Sequence, residues 1–311
     1  MKDEKSFARI FLGKSSEMWG QALEHYKELE EIRLRVGQPV ILRLHNGEYF
    51  LQKNGALDKE RADAYCIDDA QMHALLNRVC HDSVYAYEDE LRQGFLTLEG
   101  GHRVGIAGQV VLNEDGSIRT VKHISAMNIR IAHEIKGVAD GVMQHLYEKE
   151  QFCNTLILSP PGCGKTTLLR DIIRQISEGN TYHKGMTVGV VDERSEIAGC
   201  FMGVPQNDLG IRTDVLDGCP KVHGMMMLIR SMAPQVIAID EIGGLEDVMA
   251  IRKVSACGCR LVATIHGYGM EDIKNKAFMK TLWEEKFFDR FLILEKKEGA
   301  PGIKVMINKE L

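Results

Sequence analysis

Hydrophobic and polar positions follow two different rhythms along this chain. From Glu31 to Leu44, in EIRLRVGQPVILRL, apolar and polar residues largely alternate, the period of strands with one buried face. The Asn46-Gly47 pair in HNGEYF predicts a tight hairpin turn. Between Asp69 and Arg92 the apolar residues Met72, Leu75, Leu76 and Val79 recur at helical spacing. GFLTLEGGHRVGIAGQVVLNEDGSIRTV then reads as further strands broken at Gly100-Gly101 and Asp115-Gly116. The expectation for residues 1–140 is a small α+β domain.

The rhythm changes over residues 141–311. Short, almost wholly apolar runs recur, bounded by turn residues and separated by helical stretches, which is the pattern of a parallel sheet buried on both faces. The clearest runs are TLILS (155–159), VGVVDE (188–193), VIAIDE (236–241) and LVATIH (261–266). Each ends in polar or ionisable residues. Open α/β sheets bind ligands beyond the carboxyl ends of their strands, so Ser159, Asp192, Glu193, Asp240, Glu241, Thr264 and His266 could converge on one crevice.

Composition narrows this picture. The 311 residues are 44% hydrophobic and 27% charged, ordinary globular usage. With 39 Lys and Arg against 44 Asp and Glu, the net charge of −5 provides no overall basic field and argues against a nucleic-acid partner. No apolar run is long enough to span a bilayer, and the start lacks the pattern of a secretory signal, so a cytoplasmic chain is expected. The eight cysteines are scattered without a CxxC pair, which fits free thiols, and Cys257-x-Cys259 has no second pair to make a metal site.

The sharpest chemical signal is LILSPPGCGKTTLLRDII, a strand, a glycine-containing loop and an amphipathic helix in the order of a phosphate-binding P-loop. Small residues let successive N–H groups point at phosphates, and the helix adds its positive end. Ser159, Pro160, Pro161, Gly162, Cys163, Gly164, Lys165, Thr166 and Thr167 form the expected nucleotide cradle, with Lys165 reaching the β- and γ-phosphates and Thr166 ligating Mg²⁺. Ser159 stands where the strict pattern begins with glycine. In PQVIAIDEIGG a buried strand ends at Asp240, expected to hold the Mg²⁺, and Glu241, expected to polarise the attacking water. Glu193 in VVDERSEI could share that role, and His266 in ATIHG could sense the γ-phosphate or carry a proton. Arginines that could neutralise transition-state charge are Arg103, Arg119, Arg130, Arg194, Arg212 and Arg230.

These residues carry a resemblance. SPPGCGKTTLLRD, VGVVDERSEIAG, GIRTDVLDGCPKVHGMMMLIRSMAPQVIAIDEIGG and ATIHG, with EIRLRVGQPVILRL, GFLTLEGGHRVGIAG and NIRIAHEIKG before them, resemble the stage III sporulation protein AA family, similar to the type II and type IV secretion ATPases. The resemblance implies a P-loop NTPase (RecA-like) domain with a mostly parallel sheet behind the smaller α+β domain. It implies an ATP- and Mg²⁺-dependent hexameric ring in the mother cell, held at the membrane by proteins of a secretion-like sporulation channel. By the same resemblance Glu193 belongs to an acidic box and His266 to a histidine box. DEIGG departs from the Gly-Glu start of many secretion ATPases, so either Glu241 or Glu193 could be the base. The expected work is ATP hydrolysis coupled to relative motion of the two domains. Rival readings are a nucleic-acid-associated P-loop ATPase, a GTPase or small-molecule kinase, and a nucleotide-gated scaffold with little turnover; no NKxD base-reading motif follows the Asp240 strand.

Overall fold

The computed structural model describes residues 2–11, 16–297 and 300–308, and the chain forms two compact units, residues 1–133 and 134–311. In the first unit the helices are α1 (Lys2–Arg9), α2 (Ser16–Leu23), α3 (Asp69–Val79) and α4 (Glu88–Gln93). Its strands are β1 (Leu29–Arg35), β2 (Ile41–Leu44), β3 (Gly47–Leu51), β4 (Leu57–Asp58), β5 (Phe95–Thr97), β6 (Arg103–Leu112) and β7 (Ile118–Arg130). They form one antiparallel sheet in the order β4-β3-β2-β1-β7-β6-β5.

The Asn46-Gly47 hairpin is present, with Leu44 paired to Gly47. The helix expected over 69–92 is shorter. Asp68 caps its start in a box with Gln71, but it stops at Cys80, where His81 and Asp82 take the left-handed conformation, and α4 starts separately. Two consecutive positive-φ residues cannot continue a right-handed helix.

The second unit begins seven residues before the boundary read from the sequence. Three contacts tie the stretch before residue 140 to it: Lys136 pairs with Asp208, Glu134 accepts from Asp208 N at 2.8 Å, and Asp171 accepts from Ala139 N at 2.8 Å. The unit contains α5 (Asp140–Met143), the ribbon β8 (Tyr147–Glu148) and β9 (Gln151–Phe152), β10 (Thr155–Ser159), α6 (Lys165–Glu178), β11 (Val188–Asp192) and β12 (Thr213–Asp217). It continues with α7 (Lys221–Met232), β13 (Val236–Ile239), α8 (Leu245–Ala256), β14 (Arg260–His266), α9 (Met270–Asn275), α10 (Lys280–Glu284), β15 (Arg290–Lys297) and β16 (Ala300–Ile307). The main sheet runs β12-β11-β13-β14-β10-β15-β16, parallel except for β16. Side chains of alternate residues go to opposite faces. Ile157, Val190 and Ala238 pack with Leu168, Leu169 and Ile172 of α6, while Leu156, Val191 and Ile237 pack with Met225 and Leu228 of α7 and Val248 and Ile251 of α8. The unit is therefore an α/β three-layer fold.

Asp171, 3% exposed on α6, is the polar knot of this unit. It accepts from Ala139 N and from Arg174 Nη2 at 2.6 Å, and Gln175 Nε2 lies 3.2 Å away. Burial alone would raise its pKa, but the Ala139 and Arg174 hydrogen bonds prevail and hold it below the usual carboxylate value. A depressed carboxyl contributes stability above its unfolded pKa, near 4, and loses it as pH falls through the folded value. Asp171→Asn is expected to cost about 3 kcal/mol at neutral pH, a cost that shrinks below about pH 4, as denaturant melts across pH would record.

Candidate functional site

Three adjacent strands, β13, β14 and β10, deliver the candidate residues. The β10–β14 register pairs Ser159 with His266, and the β13–β14 register pairs Ile239 with Ala263, so Asp240 follows at the level of Thr264. The phosphate loop leaves β10 and enters α6 at Lys165, with Gly164 as its N-cap. Gly162 and Gly164 have φ of 72° and 84°, and a Cβ built on either meets nothing within 4 Å. Glycine is needed there for backbone conformation, not for space. Ser159, where the strict motif has glycine, lies inside extended β10, fully buried, and its Oγ donates to Pro160 O at 2.7 Å. The serine carries no left-handed strain.

Lys165 is 8% exposed, and its Nζ lies 3.0 Å from His266 Nδ1. An ammonium can only donate, so Nδ1 is the acceptor and the ring hydrogen sits on Nε2, which faces Glu241 Oε2 at 3.5 Å. Burial pulls the Lys165 pKa down, opposed by the charges of Asp240 and Glu241. Thr166 Oγ1 lies 3.4 Å from Asp240 Oδ2. Glu241 has φ of 41°, a strained setting for a side chain of its size, which persists where the surroundings fix it. Two side-chain sets, Lys165–His266–Glu241 and Thr166–Asp240, thus stand at the carboxyl end of the sheet, where open α/β folds place a ligand crevice.

The remaining expected residues make different contacts or lie exposed. Glu193 accepts from Lys221 of α7. Asp192 is not a crevice residue: it is 1% exposed and accepts from the N–H groups of Glu196, Ile197 and Ala198 at 2.7–3.0 Å. Burial pushes its carboxyl up, and those three N–H groups only partly offset this. It folds the loop after β11. Arg212 Nη1 donates to Ser177 O at 2.8 Å, at the far end of α6 from the phosphate loop. Arg194 and Arg230 are exposed on the second unit. In the first unit, Glu31, Arg130 and Arg103 stand in one cross-strand row, with Arg103 over the Phe95 ring at 3.8 Å. Arg119 is exposed, and its carbonyl accepts from Arg92.

Two residues of this region, Arg170 and Thr264, lie inside the motif segments, but the sequence gives neither an individual role. Arg170, one turn beyond Thr166 on α6, donates to Ile197 O and Glu196 O at 2.8 and 2.9 Å, joining the helix to the loop after β11. Thr264, fully buried on β14, bonds to Asp240. The spacing Thr166-Arg170 on one helix face was the available signal for the first. All eight cysteines are free thiols, and among the described residues no cluster of three or more His, Cys, Asp or Glu side chains could hold a metal by itself. Among the same residues no helix is long and apolar enough to cross a membrane.

The family model described as sporulation stage III, protein AA matches residues 1–310. The chain belongs to that family. A similar protein is stage III sporulation protein AA of Bacillus subtilis (strain 168), 40% identical over 287 residues, which span 92% of this chain and 89% of that protein. Among solved structures, the fold is similar to that of the ATPase DotB of Legionella pneumophila, with a TM-score of 0.59 and 15% identity over 93% of this chain and 80% of that one. It is also similar to the pilus retraction motor PilT solved with bound ADP, with a TM-score of 0.61 and 15% identity over 94% and 82% of the two chains. At such identity the likeness speaks for the fold alone: the chain shares with DotB and PilT a P-loop α/β domain that follows an amino-terminal domain in the sequence.

Proposed function

We infer that this chain is an Mg²⁺-dependent ATP hydrolase, working as a homohexameric motor on membrane proteins of a sporulation channel. The observation that carries the hydrolase is the linked set Lys165–His266–Glu241 and Thr166–Asp240 at the end of one parallel sheet. The motor and its setting are supported by the family, by the Bacillus subtilis relative and by the fold shared with DotB and PilT.

Two oxygens, Thr166 Oγ1 and Asp240 Oδ2, face one another at 3.4 Å, a donor set that suits Mg²⁺ completed by phosphate and water oxygens. The ion would shield phosphate charge there. The N–H groups of the phosphate loop and the start of α6 receive the phosphates, and Lys165 exchanges His266 for a phosphate oxygen. Glu241 then accepts a proton from the attacking water at its carboxylate, with the His266 Nε2–H in position to hold that carboxylate. The pairing of Glu193 with Lys221 favours Glu241 as the base.

Phosphate release and particle mass test this together. Turnover is expected with ATP in Mg²⁺, to vanish with a chelator, and to be indifferent to added polynucleotide, with mass rising to six chains by light scattering in nucleotide. Absence of turnover with both ATP and GTP would overturn the hydrolase, while a salt-sensitive rise with polynucleotide would favour a nucleic-acid-driven enzyme.

A further inference from the structure

Asp240 and Glu241 sit on the corner that leaves β13, and that corner is held from outside. Thr264, on β14 and without solvent exposure, donates its Oγ1 hydrogen to Asp240 Oδ1 at 2.6 Å. The same oxygen accepts from Glu241 N at 2.9 Å, and the Thr264 carbonyl accepts from Ile242 N at 2.8 Å. A hydroxyl has one hydrogen, so these directions are fixed by stoichiometry. Asp240 Oδ1, which also lies 3.1 Å from Glu241 N, is thereby committed to the corner, and Oδ2 is turned towards Thr166. Glu241 is left-handed at φ 41° and depends on these partners to stay so.

We propose that Thr264 is a positioning residue of the site: one hydroxyl on a neighbouring strand selects the orientation of the cation-facing carboxylate and fixes the backbone of the water-activating one. The proposal rests on the Mg²⁺-ATPase reading and adds a specific mechanical link to it. Residues two apart on a strand share a face, so Thr264 and His266 move together with β14. The strand therefore couples the Lys165 contact to both carboxylates.

Thr264→Val removes the hydroxyl at nearly constant shape, and Thr264→Ser keeps it. With a fluorescent ADP as probe, the Mg²⁺ midpoint for Mg²⁺-dependent binding is expected to rise about tenfold or more in Thr264→Val, the usual scale for losing an outer-shell partner, and to stay within about threefold in Thr264→Ser. kcat is expected to fall by a similar factor with KM for ATP little changed. In the nucleotide-free chain, hydrogen exchange of residues 240–242 is expected to quicken in Thr264→Val but not in Thr264→Ser. If Thr264→Val does not fold, Thr264→Ala carries the same expectations. A wild-type Mg²⁺ midpoint and wild-type exchange in the valine variant, or a serine variant that matches valine, would overturn the proposal. Should the wild type itself show no Mg²⁺-dependent ADP binding and no turnover, the ATPase reading fails, and the exchange rates still decide whether Thr264 holds the corner.

Discussion

Lys165→Ala is expected to lose nucleotide binding by a hundredfold or more while the nucleotide-free protein melts no lower than wild type. Both halves follow from one feature. Lys165 is 8% exposed, its ammonium lies beside an accepting imidazole nitrogen, and burial lowers its pKa, so its charge is held at a cost in the free protein. Alanine removes that cost. A phosphate, in contrast, would meet the ammonium in a partly dry crevice, where a charge-assisted hydrogen bond contributes about 3 kcal/mol, or more than a hundredfold in affinity. Without it, a positive charge that offsets Asp240 and Glu241 toward the incoming anion is gone. Calorimetric titration of Mg²⁺-ADP into both proteins, with thermal melts alongside, measures the two effects. Wild-type affinity in the variant would exclude the phosphate-loop assignment.

Glu241→Gln should bind ATP within a few-fold of wild type and turn it over about 10² to 10⁴ times more slowly, the range for removing a general base. The amide preserves size and leaves the backbone bond from Glu241 N to Thr264 Oγ1 untouched, so the corner stays in place. What disappears is the ability to take a proton. Because Glu193 is engaged by Lys221, Glu193→Gln is expected to slow turnover by less than about tenfold. Single-turnover phosphate release on the two variants separates them, and equal losses would show that the two carboxylates act as one unit.

How much of this was legible beforehand depended on whether the signal was local. The four apolar runs became β10, β11, β13 and β14, because a strand buried on both faces leaves a continuous hydrophobic record. β12 and β16 left a weaker one: the first is a half-exposed edge strand, and the second carries Pro301. FLIL within β15 is an apolar run of the same kind. Lys165, Thr166, Asp240, Glu241 and His266 were legible because each sits at a strand or helix end within a spaced motif, and the structure brings all five together. Thr264 was legible as a strand-end residue but not in its role, and Arg170 not at all, because both act through partners distant in the chain, at positions where many residue types would satisfy the same pattern. The strand-end rule misplaced Asp192 because a carboxylate at such an end can equally turn back to cap the following loop.

The interposition of β14 between the strand that launches the phosphate loop and the strand that ends in the two carboxylates has a consequence for how activity is acquired and lost. The cationic and anionic halves of the machinery are spaced by hydrogen-bonded ladders, roughly 4.8 Å for each strand step. A one-residue slip of the intervening ribbon would swap which of its side chains face each half. A substitution that shifts the register of the middle ribbon, however far from any phosphate, is therefore expected to lower turnover and thermal stability together.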